Sequence, residues 1–204
     1  MHVGRASMSE KDPGTASSSA AILFADVKGY AVLVQRDEID AYRRLKQARN
    51  LFRQIIGDYG GQIVDEAGDG FMLAFDDSRR AVDYALAIQR DLANAEAWQG
   101  GTGPFAFRIG IHAGTVRYDG EQLFGHTVIM AQRIQETTPP GRVCVSSTVH
   151  AELKAQSGLR FTSLGRRFLK NMEPAEVYCV DHARAEIITD LVASPPPPTL
   201  PSDD

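Results

Sequence analysis

A short apolar run that stops on a carboxylate constrains this chain more than any other feature. In AAILFADVKGY (Ala20 to Tyr30), Ala21 to Ala25 are continuously apolar and Asp26 closes the run. So brief and bounded a run reads as a central strand. About forty residues on, QIVDEAGDGFMLAF (Gln62 to Phe75) holds two strand-like runs, Gln62 to Glu66 and Phe71 to Phe75, joined through Ala-Gly-Asp-Gly. That pattern predicts a hairpin whose glycines supply positive φ, with Asp69 in its turn. Carboxylates at the ends of buried strands are costly, and two that face each other repel. A pair of divalent cations resolves this, because hard cations take carboxylate oxygens and bridge them to phosphates. The chain is therefore a candidate for phosphoryl chemistry on a nucleotide.

Around these runs the periodicity alternates. Ile39, Tyr42, Leu45, Phe52, Ile55, Ile56 and Tyr59 recur at helical spacing between about Val32 and Tyr59, and Gly60 and Gly61 end that helix. Arg43, Arg44, Lys46, Arg49 and Arg53 fill its other positions, as a solvated face or a binding surface. Ser78 is placed to cap a second helix carrying Val82, Ala85, Ile88 and Leu92, which AWQGGTGP breaks. FAFRIGIHAGTV is a long strand with a turn at Tyr118 to Gly120. A helix from about Thr127 to Thr137, the strand RVCVSS, a short helix near Thr148 to Ala155, and strands at Arg160 to Leu169 and Glu176 to Val180 follow. Strand, helix, hairpin, helix, strand is the order of an α+β, ferredoxin-like fold, a mostly antiparallel sheet with helices on one face. Residues 1–19 read as a flexible arm, 20–182 as one domain, and 183–204 as a C-terminal segment with a short helix in HARAEIITDLV and a Pro-rich tail.

Composition narrows the classes. A net charge of −4 over 204 residues leaves no basic footprint for nucleic acid or an anionic membrane. No apolar stretch approaches the roughly 20 residues of a membrane span, and the N-terminus has no apolar signal core, so a cytoplasmic protein is expected. Cys144 and Cys179 lie inside apolar runs without CxxC spacing and read as buried, reduced thiols.

FADVKGY and AGDGFMLAF resemble the two metal-binding segments of the class III nucleotidyl cyclases, the adenylyl and guanylyl cyclase family. FRIGIHAG, FGHTVIMAQRI, PPGRVCVSS and FTSLGRRFLKNMEPAEVYCV follow in that family's order. The resemblance implies a class III cyclase fold and two Mg²⁺ or Mn²⁺ ions per site on Asp26, Asp69 and the Val27 carbonyl. It implies triphosphate contacts from Arg108 and Lys170, and a transition-state role for Arg133, whose fork of donors stays ionised. Lys28, Gly29 and Tyr30 would open the first helix, where amides and the helix dipole favour phosphate. Family sites form between protomers, and this chain carries both sets of residues, so a head-to-tail homodimer is implied.

Three positions depart from the family. The base-reading pair is Asp65 and Gln122, where adenylyl cyclases carry lysine and aspartate, and guanylyl cyclases carry glutamate and, in many, cysteine. Ile129 stands where relatives carry an asparagine. An acceptor-only carboxylate and an amide suit guanine, cytosine or uracil better than adenine. The lost purine set resembles the bacterial pyrimidine cyclases of phage defence. The expectation is a cyclase favouring CTP or UTP. The alternatives are a guanylate or adenylate cyclase, and a non-catalytic cyclase-homology module.

Overall fold

The structure, a computed structural model, describes residues 16–94, 105–120 and 122–183. The elements run β1 (Ala16–Val27), α1 (Tyr30–Arg36), α2 (Glu38–Ile55), a 3₁₀ turn (Ile56–Tyr59), β2 (Gly61–Asp65), β3 (Phe71–Phe75) and α3 (Ser78–Asn94). Then come β4 (Phe107–Asp119), β5 (Gln122–Phe124), α4 (His126–Thr137), β6 (Val143–Ser146), α5 (Ser147–Leu153), β7 (Leu159–Arg167) and β8 (Ala175–His182). They build one sheet in the order β2-β3-β1-β4-β6-β8-β7, with β5 pairing on β4. Only β4 and β6 pair in parallel among these ladders. This is the expected α+β, mostly antiparallel sheet.

Alternation along the strands sorts the two faces. Leu23, Ala25 and Val27 of β1, Phe71, Leu73 and Phe75 of β3, and Ile109 and Ile111 of β4 join α2, α3 and α5 in the larger core. There Phe52 stacks on Phe71 with ring centroids 4.1 Å apart, and the Tyr84 hydroxyl donates to the Phe52 carbonyl at 2.9 Å. Ile22, Phe24, Met72 and Ala74 point the other way, against α4. Helices thus lie on both faces, not one, which corrects the expectation. The reason is Gly110: a Cβ there would stand 2.2 Å from the Gln135 nitrogen. The bare glycine lets α4 lie against β4.

Four local expectations shift. β1 begins at Ala16, because Ala16 to Ser19 continue the ladder with β4, so the strand reaches into the stretch read as an arm. The long helix breaks at Asp37, whose extended backbone ends α1 and whose carboxylate accepts from the Asp40 amide at 2.9 Å to cap α2. The cap of α3 is Asp77, accepting from the Arg80 amide at 3.0 Å, while Ser78 is buried as the first helical residue. Gly60, at φ 63, ends the 3₁₀ turn as its sequence suggests. The turn at Tyr118 begins later, since β4 runs to Asp119. The AWQGGTGP break and the helix in HARAEIITDLV, from residue 184 on, lie outside the described residues.

Candidate active site

Asp26 ends β1 on the face that carries α4, directly opposite Arg108 of β4 in register. Alternation puts both side chains on the same side, and the Arg108 guanidinium forms an ion pair with the Asp26 carboxylate. Arg108 also donates to the Glu136 carbonyl at the end of α4, at 3.2 Å. From the same helix, Gln135 donates its amide to Asp26 at 3.3 Å.

Asp69 reaches this point from the β2–β3 turn. Gly68, at φ 59, turns the chain, and the Gly70 amide closes the turn on the Ala67 carbonyl at 2.9 Å. Burial pushes the Asp69 carboxyl up to about 6, and its hydrogen bond and charge repulsion with Asp26 push the same way. Backbone amides of Asp69 and Val27 oppose that rise. The two carboxylates, from separate elements, therefore face one cleft.

Helix α2 holds the turn. Arg49 donates to the Gly68 carbonyl at 2.6 Å, and Arg53 donates through Nε to Glu66 at 3.1 Å. Arg44 is buried and ion-paired with Asp40 at 3.0 Å. The basic stripe on α2 is thus divided: Arg44 is internal, Arg49 and Arg53 brace the turn, and Arg43, Lys46 and Arg53 stay exposed as a solvated face.

The carboxylates line a cleft of about 440 Å³ with Asp65, Arg108, Gln132 and Gln135. Asp65 and Gln122 share an adjoining hollow of about 320 Å³ with Val64, Met72 and Leu123. The two base-reading candidates, distant in sequence, are thus neighbours in the fold.

The other candidates stand apart. Gly29, at φ 72, precedes α1, but the Lys28 amide is spent on the Ala106 carbonyl at 3.0 Å and α1 starts at Tyr30. The Lys28 amide is thereby withdrawn from the helix start, which Gly29 and Tyr30 still form. Arg133 sits on α4, ion-paired to Glu136, and is absent from the cleft lining. Lys170 is exposed in the β7–β8 connection, at the sheet edge away from the cleft. Ile129 and Phe124 are 46% and 41% exposed.

The sequence reading missed Gln135, Arg49 and Arg53 as supports. Gln135 had a signal: it falls four residues after Ala131 on the inward face of α4, where a polar residue needs a partner. Arg49 and Arg53 had none, because their partners lie across a turn.

Among the described residues no three His, Cys, Asp or Glu side chains are grouped closely enough to hold a metal ion. The donor set nevertheless fits divalent cations. Two carboxylates lining one cleft, one of them raised by burial, are the ligands a hard cation takes, with phosphate and water oxygens completing its shell.

The adenylate and guanylate cyclase catalytic domain model matches residues 14–182. A candidate adenylate cyclase of Rhizobium meliloti is 30% identical over 188 residues; the alignment covers 90% of this chain and 32% of that protein's length. An adenylate/guanylate cyclase/hydrolase from Silicibacter pomeroyi superposes with a TM-score of 0.74 at 34% identity, covering 81% of this chain and 98% of that one. The adenylyl cyclase CyaB from P. aeruginosa shares the fold at a TM-score of 0.75 and 22% identity, covering 84% and 97% of the two chains. The chain belongs to the adenylate and guanylate cyclase catalytic-domain family, the class III nucleotidyl cyclases.

Proposed function

We propose that the chain converts a nucleoside triphosphate to a 3′,5′-cyclic nucleotide and pyrophosphate. The observation that carries this reading is the convergence of Asp26 and Asp69, from β1 and the β2–β3 turn, on one cleft beside Arg108, where burial and then Asp26 raise the Asp69 carboxyl to about 6. Two such groups destabilise each other unless cations lie between them and phosphate. Asp26, Asp69 and the Val27 carbonyl would hold two Mg²⁺ or Mn²⁺ ions, which would acidify the ribose 3′-hydroxyl and offset the charge of the leaving pyrophosphate. The 3′-oxygen gives its proton to solvent and bonds to the α-phosphorus as the bond from that phosphorus to the bridging oxygen breaks and pyrophosphate leaves.

The chain's own groups position these partners. Arg108 neutralises Asp26 and stands in the cleft wall, where a guanidinium also suits triphosphate oxygens. Arg133 and Lys170, which do not line the cleft of their own chain, would serve the site of a partner in a head-to-tail homodimer. The exposed apolar Ile129 and Phe124 on the α4 side support that assembly. The proposed catalytic domain takes in all of β1 from Ala16 and ends near residue 182.

The base is read by Asp65 and Gln122. The sequence departures favoured CTP or UTP, but the purine alternative is better supported, since the relatives and solved structures described above are adenylate or guanylate cyclases by name. Of the purines, guanine fits: its N1–H and N2–H₂ meet the acceptor-only Asp65, and the Gln122 amide can donate to O6. Ile129, unable to hydrogen-bond a ribose, favours the second reading of a module that binds nucleotide without turnover.

The test incubates purified protein with each of the four ribonucleoside triphosphates and Mn²⁺ and identifies products by mass spectrometry. Cyclic GMP as the main product is expected. Cyclic CMP or UMP would restore the pyrimidine ranking. Nucleotide binding with no cyclic product, in a dimer verified in solution, would leave the non-catalytic module.

A further inference from the structure

The chain's two cysteines, 35 residues apart in sequence, lie side by side in the sheet. Cys144 of β6 and Cys179 of β8 are directly opposite in antiparallel register. Their Sγ atoms are 2.7 Å apart, and both are free, buried thiols. Opposed residues in an antiparallel pair have Cα atoms about 4.5–5.5 Å apart. That falls within the roughly 4.4–6.8 Å a disulfide spans, so the strands need no rearrangement to accept one.

A cation completes the arrangement. Arg142, just before β6, is paired with Asp181 at 2.6 Å and is partly exposed, whereas the two thiols are themselves buried. Hydrogen bonds from Cys144 and from Arg142 bring the Cys179 thiol down to about 7, against the opposing effect of burial. The hydrogen bond with Cys179 and burial push the Cys144 thiol up. One sulfur is thus suited to attack as a thiolate, while the other keeps its proton until it resolves the product.

We infer that Cys144 and Cys179 form a two-electron redox site that closes to an internal disulfide on reaction with a small peroxide. The Cys179 sulfur attacks one peroxide oxygen, the O–O bond breaks, and water leaves behind a sulfenic acid. The Cys144 sulfur then attacks that sulfur, the S–O bond breaks, and a second water leaves. The thiols give up two electrons and two protons, and hydrogen peroxide becomes two waters. A dithiol reductant reverses the step by exchange.

The pair also underlies α4, with Met130 and Ile134 packed in the same cluster. Ile134 follows Arg133, so an effect of oxidation on turnover would act through that helix. This consequence rests on the proposed cyclase reading, whereas the disulfide does not.

The test uses the full chain, purified reduced and exposed to hydrogen peroxide. The protein is then denatured, alkylated with N-ethylmaleimide, digested and analysed by mass spectrometry. A linked peptide pair containing Cys144 and Cys179, lighter by two hydrogens, is expected, and dithiothreitol should restore two alkylated cysteines. On a non-reducing gel the chain should stay at its own mass. Complete alkylation of both cysteines, sulfinate at Cys179 without a link, or a link between chains would overturn the inference. In Cys144→Ser, dimedone should trap a sulfenic acid at Cys179, and its absence would remove Cys179 as the attacking thiol. Arg142→Gln should slow disulfide formation severalfold at neutral pH; an unchanged rate would remove the arginine from the site.

Discussion

Asp69 and His112 carry opposite pH signatures, and each follows from what surrounds it. The Asp69 carboxyl stands near 6 in the fold, against 3.8 as an ordinary carboxyl, through burial and then Asp26. A raised folded value means that its contribution to stability is full below about 4 and lost as pH rises through 6. Two units correspond to about 2.7 kcal/mol, which the half-exposed setting reduces to about 1 kcal/mol. Asp69→Asn in chelator should therefore raise the melting temperature by about 2–4 °C at pH 7.5 and leave it unchanged near pH 4. The same variant should lose turnover. Lower stability at pH 7.5 would make Asp69 a structural turn residue. His112 behaves the other way. Burial, then His126, brings it from 6.5 down to about 4, while its Nδ1 shares a 2.8 Å hydrogen bond with the Ser146 hydroxyl. Stability is lost as pH falls from about 6.5 to 4, by up to about 3 kcal/mol, because the unfolded chain takes up the proton first. Asn at 112 can keep the hydrogen bond without titrating, so urea unfolding at pH 7.5 and pH 5 should show a smaller acid loss for His112→Asn than for the parent.

At the scale of elements, the site depends on two packing relationships. Helix α4 can reach Asp26 only because Gly110 has no side chain. Gly110→Ala drives a methyl into the Gln135 and Ala131 backbone and should cost about 3 kcal/mol, read by chemical denaturation. The second relationship is α2 against the Asp69 turn. Arg49→Ala should speed hydrogen exchange at Gly68 to Gly70 and lower turnover by about 10–100-fold, while global stability changes by less than about 1 kcal/mol. Unchanged exchange in the turn would contradict the bracing role. The element order was legible because each strand and helix announces its own period, from the Ala21 to Ala25 run to the hairpin glycines. The break at Asp37 was not, since one capping carboxylate inside a continuous apolar period leaves the period intact. Nor was the face taken by α4, which depends on a close approach at Gly110 that only the register of β1, β4 and the helix defines.

Across the whole molecule, family motifs made the carboxylate pair and the Asp65–Gln122 hollow readable, because each is a local segment whose partner the fold supplies. The pairings of Asp26 with Arg108, of the turn with Arg49, and of Cys144 with Cys179 were hidden, since each arises from strand register or from packing across a turn. A single chain brings Asp26, Asp69 and Arg108 together and leaves Arg133 and Lys170 outside the cleft. That division is what a site completed by a second copy requires. Ile129→Arg should weaken the proposed dimer in sedimentation velocity and lower turnover with it. The most direct measurement mixes two chains, one carrying Asp69→Asn and the other Arg133→Ala, and follows cyclic nucleotide production. Each alone should be inactive, and an equal mixture should recover about a quarter of the parent rate, because half the dimers then hold one intact site of two. No recovery on mixing, from chains shown to exchange subunits, would contradict a site shared between protomers.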